Sequence, residues 1–349
     1  MSGASTSTTA QSPPAIASIN DVSALFQTAK KYEELNVIGT GAYGTVYKAR
    51  DLHNGGQIVA MKKVKVALTE DGIPLSTLRE IALLRQLEAY RHPNIVRLLD
   101  VCHGGQSVDR DHQLVLFLVF EHVEQDLELY LKKAPGPLSE NRIRSMSYDI
   151  LCGVDFLHSH RIVHRDLKPH NLLVTAAGRV KLADFGLAKT YDTEMKLTSV
   201  VVTLWYRPPE VLLGVSYNTA VDVWSCGCVL AQLLLGVSYN TAVDVWSCGC
   251  VLAQLHTRSP LLPGSSDSDQ LHCIFRLIGR PPRQEWPDNV SVVADSFPPY
   301  PARDLADILP RAHPNAVNMI KGMLVFDPAK RLTALDCLEH PYFTEEPLT

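Results

Sequence analysis

Two short strings, whose aspartates are eighteen residues apart, constrain what this chain can fold into. The first is His164-Arg165-Asp166-Leu167-Lys168-Pro169-His170-Asn171, and the second is Asp184-Phe185-Gly186. Phosphoryl transfer from ATP needs a carboxylate that accepts the acceptor's hydroxyl proton, and oxygen ligands that hold Mg²⁺ on the phosphates. Asp166 suits the first task, and Asn171 with Asp184 suits the second. The fold must therefore bring the two strings together.

Length, composition and charge narrow the class of protein. The chain has 349 residues, of which 46% are apolar and 20% charged, as in a globular protein with one large domain or two lobes. Its net charge of −4 indicates no basic field for nucleic acid or an anionic membrane. No apolar stretch is long enough to span a bilayer, and the N-terminus lacks a secretory pattern. We therefore expect an intracellular protein whose eight cysteines are reduced thiols.

The order of the sequence patterns predicts an α+β protein with two lobes. Residues 1–31 are rich in Ser, Thr, Ala and Pro and predict a disordered leader. Residues 32–121 predict a strand-rich first lobe, with strands at 35–38, 45–49, 58–64 and 114–120 and a helix at 76–88. A polar connector at 121–126 leads into a mostly helical second lobe over 122–343, followed by a tail over 344–349. Strands first and helices later are typical of an α+β fold.

An identical repeat interrupts the second lobe. Residues 212–233 (copy one) recur without a change at 234–255 (copy two). Two copies are too few for a repeat architecture, which needs at least three units to bury a shared core. A recent duplication of coding sequence, or an error in the assembled gene, explains the repeat better. Each copy contains Cys-Gly-Cys, but cysteines two apart on a helix point to nearly opposite sides, so we expect buried thiols rather than a zinc site.

A glycine pattern near the N-terminus predicts a nucleotide-binding loop. Gly39, Gly41 and Gly44 have the required spacing, and strands are predicted on both sides, whereas a dinucleotide-binding loop opens a helix. Glycines let the backbone approach the phosphates closely. Lys62 lies on the next predicted strand, from which its ammonium can reach the α- and β-phosphates.

Glu80, on the predicted helix that follows, has two interpretations. It is either the ion-pair partner of the Lys62 ammonium or the last member of a capping box, because Thr77-Leu78-Arg79-Glu80 fits the pattern Ser/Thr-x-x-Glu. The other motifs favour the ion pair, which this class of enzyme uses to fix the lysine.

Taken in order, these motifs resemble those of the eukaryotic protein kinases over residues 32–343. The string Pro74-Leu75-Ser76-Thr77-Leu78-Arg79-Glu80 looks like the cyclin-contacting helix of the cyclin-dependent kinases. Its Leu-Ser-Thr-Leu variant, together with Phe120-Glu121-His122-Val123, resembles the branch that pairs with D-type cyclins. Leu197-Thr198 and the string from Val200 to Arg207 point to the same branch.

The resemblance implies a bilobal kinase fold and a serine/threonine kinase that uses ATP and Mg²⁺. The implied catalytic residues are Asp166, Lys168, Lys62 and Glu80, and the metal ligands are Asn171 and Asp184. A second group would surround the nucleotide, with Phe120 as gatekeeper and the backbone of Glu121 and Val123 bonded to adenine. The implied ATP-binding residues are Gly39, Gly41, Gly44, Val46, Ala60, Lys62, Phe120, Glu121 and Val123.

The resemblance also implies phosphorylation sites, binding partners and a cellular location. Thr198 would be the activating phosphorylation site, its phosphate held by Arg79, Arg165 and Lys189. Tyr43 matches an inhibitory phosphorylation site, but a loop-tip residue packed over the nucleotide is the favoured interpretation. A cyclin would bind residues 74–80, the substrates would carry Ser/Thr-Pro, and small ankyrin-repeat proteins would be inhibitors. A cell-cycle role in cytoplasm and nucleus follows from the same likeness.

The resemblance also implies three structural anchors beneath the site. Glu210 should pair with Arg331 in the helical lobe. The Asp of Val-Asp-Val-Trp should begin a buried helix and bond the backbone around His164, and both Asp222 and Asp244 match it. We favour Asp222, with copy one in the core, since the extra residues would then enter a surface connection at little entropic cost.

Two alternatives to an active cell-cycle kinase remain at this point. The chain could be a catalytically impaired cyclin-binding decoy, if the insertion disturbs the support under Asp166. It could also be a transcription-associated member of the same kinase family, which would bind a different class of cyclin.

Overall fold

A computed structural model describes residues 27–41, 44–68, 73–108, 113–185, 189–190, 203–213, 241–287, 290 and 292–345. The chain divides into two compact units. The first contains the residues up to Glu88 together with Arg97–His122, and the second contains Ala89–Val96 and the residues from Val123 on. The unit boundary after His122 falls one residue from the predicted lobe boundary. Residues 89–96 were placed by the sequence patterns in the first lobe but belong to the second unit.

The first unit is a six-stranded sheet with one long helix. Its strands follow the order β1-β5-β6-β4-β3-β2, antiparallel throughout except for the parallel pair of β1 and β5. The elements are β1 (Gln27–Thr28), β2 (Tyr32–Gly41), β3 (Gly44–Asp51), β4 (Ile58–Ala67), α1 (Leu75–Tyr90), β5 (Leu98–Val108) and β6 (Gln113–Glu121). The predicted strands and helix are all present and longer than predicted, whereas β5 was not predicted.

Apolar periodicity explains why these segments form the first unit. In β4, alternate residues such as Val59 and Met61 are buried, as a sheet with one covered face requires. In α1, Ile81, Leu84 and Leu87 are buried at helical spacing. The strand residues form a core cluster around Val119, Phe117 and Cys102.

The expectation of disorder through residue 31 is wrong for its last five residues, 27–31. Gln27–Thr28 pairs with β5, and Ala29–Lys31 forms a 3₁₀ turn whose Ala29 packs against the core. Lys31 forms an ion pair with Asp100. These contacts order a segment whose composition alone does not predict structure.

The second unit is mostly helical. Two long helices lie at its centre: α3 (Glu140–Ser159) and α5 (Ala242–Thr257). Its remaining elements are β7 (Gln125–Asp126), α2 (Leu127–Lys133), β8 (Ile162–Val163), β9 (Leu172–Val174), β10 (Val180–Leu182), β11 (Lys189–Thr190), α4 (Pro209–Leu212), α6 (Asp267–Ile278), α7 (Leu305–Ile308), α8 (Pro314–Met323), α9 (Ala334–Leu338) and α10 (Pro341–Thr344). Thr344 therefore ends a helix, and the predicted tail begins too early.

Helix α5 is the buried centre of this unit, and copy two of the repeat forms it. All residues from Ala242 to Leu255 are buried, including Trp246, which has no exposed surface. The prediction that copy one forms the core helix is wrong. Asp244 occupies the anchoring position assigned to Asp222, and Asp222 lies outside the described residues.

Continuity of the chain explains why copy two is used. The repeat ends at Leu255, but α5 runs on through Thr257 and is capped by Arg258 in the left-handed conformation. Arg258 donates from Nη2 to the Leu131 and Ala134 carbonyls, at 2.6 and 2.9 Å. Copy one is followed by Leu234-Leu235-Gly236, which has no such cation. The extra residues therefore fall before the helix, in the 27 residues between Leu213 and Thr241.

Deletion of one copy should stabilise the protein. Removing either copy yields the same chain, and it shortens the connection before α5 from 27 residues to about five. Loop closure then becomes easier by about 1.5 kcal/mol, since each doubling of loop length costs about 0.6 kcal/mol. Calorimetry should show a Tm that is a few degrees higher.

A length-matched control isolates the loop effect. In the shortened chain, 22 Gly/Ser residues inserted after Leu213 should restore the lower Tm. Unchanged or lower stability of the shortened chain would instead mean that the additional copy contributes favourable contacts.

Among the helices of the described residues, none combines the length and the apolar character needed to cross a membrane.

Candidate active site

Asp166 is the centre of a hydrogen-bond network in the second unit. Its Oδ2 accepts from Lys168 Nζ at 2.8 Å and from Asn171 Nδ2 at 2.9 Å. Its Oδ1 accepts from Thr203 Oγ1 at 2.8 Å. Thr203 Oγ1 in turn accepts from Lys168 Nζ at 2.9 Å. The carboxylate is thus held by three donors, with its orientation set on both oxygens.

The two strings meet through Ala183, the residue before Asp184. Its backbone N–H donates to the Asn171 carbonyl at 2.9 Å, and its carbonyl lies 3.0 Å from His164 Nε2. His164 Nδ1 accepts from the Asp166 N–H at 3.3 Å. Phe185 packs on the His164 ring, with centroids 5.3 Å apart. His164 therefore joins the two strings as a packed anchor.

Two of the five described non-glycine residues with positive φ lie in the two strings. Arg165 has φ of +64° and Asp184 has φ of +61°, in the left-handed region that residues with a Cβ rarely adopt. Such residues cost about 1–3 kcal/mol each and persist only where surrounding contacts hold them.

Asp244, at the start of α5, supplies those contacts for the first string. Its Oδ2 accepts from the His164 N–H at 2.8 Å and its Oδ1 from the Arg165 N–H at 2.9 Å. His158 Nε2 lies 3.0 Å from Oδ2. Burial alone would raise the pKa of Asp244, but the hydrogen bond from His158, the positive potential of His158 and His164, and the Arg165 N–H outweigh it. The pKa is therefore lowered, and the buried group is a carboxylate.

Asn171 and Asp184 have the donor atoms that a magnesium ion prefers. Both hydrogen bonds that Asn171 makes through its side chain use Nδ2, so its Oδ1 accepts none from the described residues. Amide and carboxylate oxygens are hard ligands that suit Mg²⁺. The residues present therefore fit the metal that the sequence implied, while their role as ligands stays a prediction.

The first unit positions the predicted nucleotide-binding residues on adjacent strands. Lys62 on β4 pairs across the sheet with Val46 on β3 and with Leu118 on β6. Ala60, two residues earlier and hence on the same face as Lys62, pairs with Phe120. Glu121 accepts the Arg97 N–H on Oε1 and donates its own N–H to the Arg97 carbonyl, at 2.9 and 3.0 Å. The sheet thus aligns Lys62, Ala60 and Val46.

The predicted loop glycines differ in whether their positions leave space for a side chain. Gly44 has φ of +123°, and a Cβ there would lie 2.1 Å from the Lys63 carbonyl oxygen, so only glycine fits. At Gly39 an added Cβ would meet only Val46, at ordinary contact distance. Gly39 is therefore not required by the packing, and its approach to phosphates remains a prediction.

Several predicted site residues cannot be compared with the geometry. Arg79 and Glu80 lie in α1 and Lys189 lies in β11, but their side chains are outside the described part. Tyr43 and Thr198 lie outside the described residues altogether. Arg165 is buried beside Asp166, and Val123 follows the end of the first unit.

Two residues of the network were missed by sequence reasoning. Thr203 stands in a string that carried the family resemblance, yet no role was assigned to its hydroxyl. His158 stands in Leu157-His158-Ser159, near the end of α3, where nothing in the local sequence reveals its partner. The pairing of His158 with Asp244 spans 86 positions and becomes visible only in the fold.

Glu210 and Arg331 form the expected pair. Arg331 donates from Nη1 and Nη2 to the two Glu210 carboxylate oxygens at 2.7 and 2.6 Å. Arg331 Nη1 also donates to the Ala242 carbonyl, and its guanidinium lies 4.9 Å from the centroid of the Trp246 ring. The pair therefore clamps α4 to the start of α5.

The cysteines of copy two lie inside the packed core. Cys248 and Cys250 are both about 1% exposed. Burial raises the pKa of Cys250 to about 12, and it raises the pKa of Cys248 well above its usual value. Both side chains are therefore protonated thiols.

Comparison with known proteins gives the family. The protein kinase domain family matches residues 32–239 and 234–343, and the second match restarts inside the repeat. The chain belongs to the protein kinase family. Its Asp166 network stands in the domain that defines that family.

The relatives narrow the family further. Cyclin-dependent kinase 4 of Mus musculus is 47% identical over 322 residues, which cover 91% of this chain and 98% of that protein. Cyclin-dependent kinase 4 of Xenopus laevis is 46% identical over 318 residues, covering 91% and 92%. The kinase of the same name from Rattus norvegicus is 47% identical over 320 residues, covering 90% and 97%. The chain is a serine/threonine kinase of the cyclin-dependent group, which uses ATP and Mg²⁺.

Proposed function

We propose that this kinase is activated by a D-type cyclin and phosphorylates Ser/Thr-Pro sites in cell-cycle control. The observation that carries the proposal is the network around Asp166, in which three donors orient the carboxylate. A carboxylate so held can accept a hydroxyl proton from the acceptor. Cytoplasm and nucleus are the proposed locations, by analogy with the cyclin-dependent kinase 4 relatives.

The residues around Asp166 would then divide the reaction among them. Asp166 accepts the proton of the substrate hydroxyl, and Lys168 opposes the charge that develops on the transferred phosphoryl group. Asn171 and Asp184 hold Mg²⁺, which neutralises phosphate charge. Lys62, steadied by Glu80, holds the α- and β-phosphates.

The same proposal assigns the regulatory residues. The cyclin binds residues 74–80 at the start of α1 and shifts the helix toward the state in which Glu80 meets Lys62. Phosphorylated Thr198 is held by Arg79, Arg165 and Lys189 through charge-assisted hydrogen bonds. Tyr43 phosphorylation inhibits by adding negative charge at the phosphate loop.

The network weakens the case for a decoy. That alternative required the duplicated segment to disturb the support under Asp166. Asp244 from copy two makes both backbone hydrogen bonds of that support, at 2.8 and 2.9 Å. The high identity to cyclin-dependent kinase 4 over most of both chains favours the cell-cycle branch over a transcription-associated one.

A phosphorylation assay with added D-type cyclin tests the proposal. The protein, phosphorylated on Thr198, should transfer phosphate to a Ser-Pro peptide and at least about ten-fold less to the matched Ser-Ala peptide, since a kinase selective for Ser/Thr-Pro loses its contacts with the proline. The variant with one copy deleted provides a positive control.

If the full chain bound the cyclin but showed no turnover, while the shortened chain did turn over, the decoy would be favoured. Activation only by a cyclin of a transcription-associated class would favour the third alternative.

A further inference from the structure

A buried serine attaches the short turn Leu204–Tyr206 to α5, the helix that copy two forms. Ser247 is 1% exposed, and its Oγ donates to the Tyr206 carbonyl at 2.8 Å. The same hydroxyl lies 3.1 Å from the Val243 carbonyl, one turn earlier in α5. Helical serines commonly contact that carbonyl, whereas the contact with Tyr206 joins two separate segments.

Both the side-chain hydroxyl and the backbone N–H of Tyr206 are hydrogen-bonded. Its hydroxyl donates to Gln254 Oε1 at 2.8 Å, two turns farther along α5. Its backbone N–H donates to the Thr203 carbonyl at 2.9 Å, which closes the 3₁₀ turn of Leu204–Tyr206. Because this turn is short, a displaced Tyr206 carbonyl moves Thr203 as well.

Thr203 links the turn that Ser247 holds to Asp166 and Lys168. Its Oγ1 donates to Asp166 Oδ1 at 2.8 Å and accepts from Lys168 Nζ at 2.9 Å. A hydroxyl can perform both tasks only if it stays between the two partners. Displacements of about 1 Å in such groups can cost a factor of about 100 in rate.

We propose that Ser247 is a positioning residue for phosphoryl transfer, because its bond to the Tyr206 carbonyl keeps the Thr203 hydroxyl between Lys168 and Asp166. The inference rests on the proposed function of the Asp166 network. It assigns to copy two a second task beside the support that Asp244 gives to His164 and Arg165.

The repeat offers a matched control for this proposal. Ser225 has the same neighbours in sequence as Ser247 but stands in copy one. With cyclin and a Ser-Pro peptide, Ser247→Ala should lower kcat about ten-fold, within the range for a lost buried hydrogen bond, and leave the KM for ATP unchanged. Ser225→Ala should match the parent. Equal activity of the two variants would overturn the proposal.

A double-mutant cycle separates positioning from a general loss of stability. Thr203→Val keeps the side-chain shape and removes the hydroxyl. If Ser247 acts through Thr203, the combined variant should be no slower than Thr203→Val alone. If the two losses multiply, Ser247 acts by another route and the proposal fails.

Amide hydrogen exchange tests the positioning role of Ser247 separately from the proposed kinase function. In Ser247→Ala, exchange at Tyr206 and Arg207 should be at least about ten-fold faster than in Ser225→Ala, since local opening becomes easier. Equal exchange rates would refute the positioning role even in an active enzyme. A parent chain that shows no turnover with any cyclin would instead refute the proposed function.

Discussion

Replacing Asp166 with asparagine will lower kcat by at least about 100-fold, the usual contribution of a general base. The amide has nearly the same shape but cannot accept the substrate proton. It also offers only one acceptor oxygen where Lys168, Asn171 and Thr203 now donate to two. Steady-state phosphorylation of a Ser-Pro peptide measures the loss, and cyclin binding should remain at the parent affinity.

The cyclin measurement decides whether Asp166 acts chemically. The proposed cyclin surface at the start of α1 belongs to the first unit, whereas Asp166 lies in the second. A chemical role therefore leaves affinity and Tm close to those of the parent. If Asp166→Asn loses turnover and cyclin binding together, the residue is structural.

Replacing Asp244 with asparagine will destabilise the protein by about 3–5 kcal/mol, the cost of removing one partner from a buried charged network. The carboxylate accepts from two backbone N–H groups and contacts His158, and it is 1% exposed. An amide would turn its NH₂ group toward one of these donors. Denaturant unfolding should show the loss, and kcat should fall because the strained Arg165 loses its support.

Asp222→Asn provides the control, since the same residue in the same local sequence is changed in the other copy. It should leave both stability and kcat unchanged. If Asp222→Asn lowered stability and kcat while Asp244→Asn changed neither, copy one would form the core helix. If only the double variant were damaged, the two copies would exchange in the core.

Much of the site could be predicted because its chemistry is local in sequence. Asp166, Lys168 and Asn171 lie within one short string, and the structure joins them in one network. Strands with buried alternate residues, such as β4, and the apolar face of α1 follow from periodicity. Strand β5 was missed because much of it is polar or glycine, and its pairing with β6 decides its conformation.

Partnerships between distant residues required the fold. His158 with Asp244, Thr203 with Asp166, and Ser247 with the Tyr206 carbonyl all join segments 37 to 86 positions apart. Such pairs leave no local pattern, since each side chain is ordinary in its own helix or loop. The order of residues 27–31 was missed for the same reason, because pairing with β5, packing of Ala29 and an ion pair of Lys31 with Asp100 hold them.

The sequence by itself indicated phosphoryl transfer, because the residue types that this reaction needs occur at fixed spacings from Asp166 in the two strings. It could not determine which copy of the repeat supports that carboxylate, since the two are identical in all 22 positions. Only the tertiary structure decided it. Copy two continues without a break into His256, Thr257 and Arg258, whose guanidinium bonds the Leu131 and Ala134 carbonyls. The extra 22 residues then precede the helix, among the 27 residues between Leu213 and Thr241.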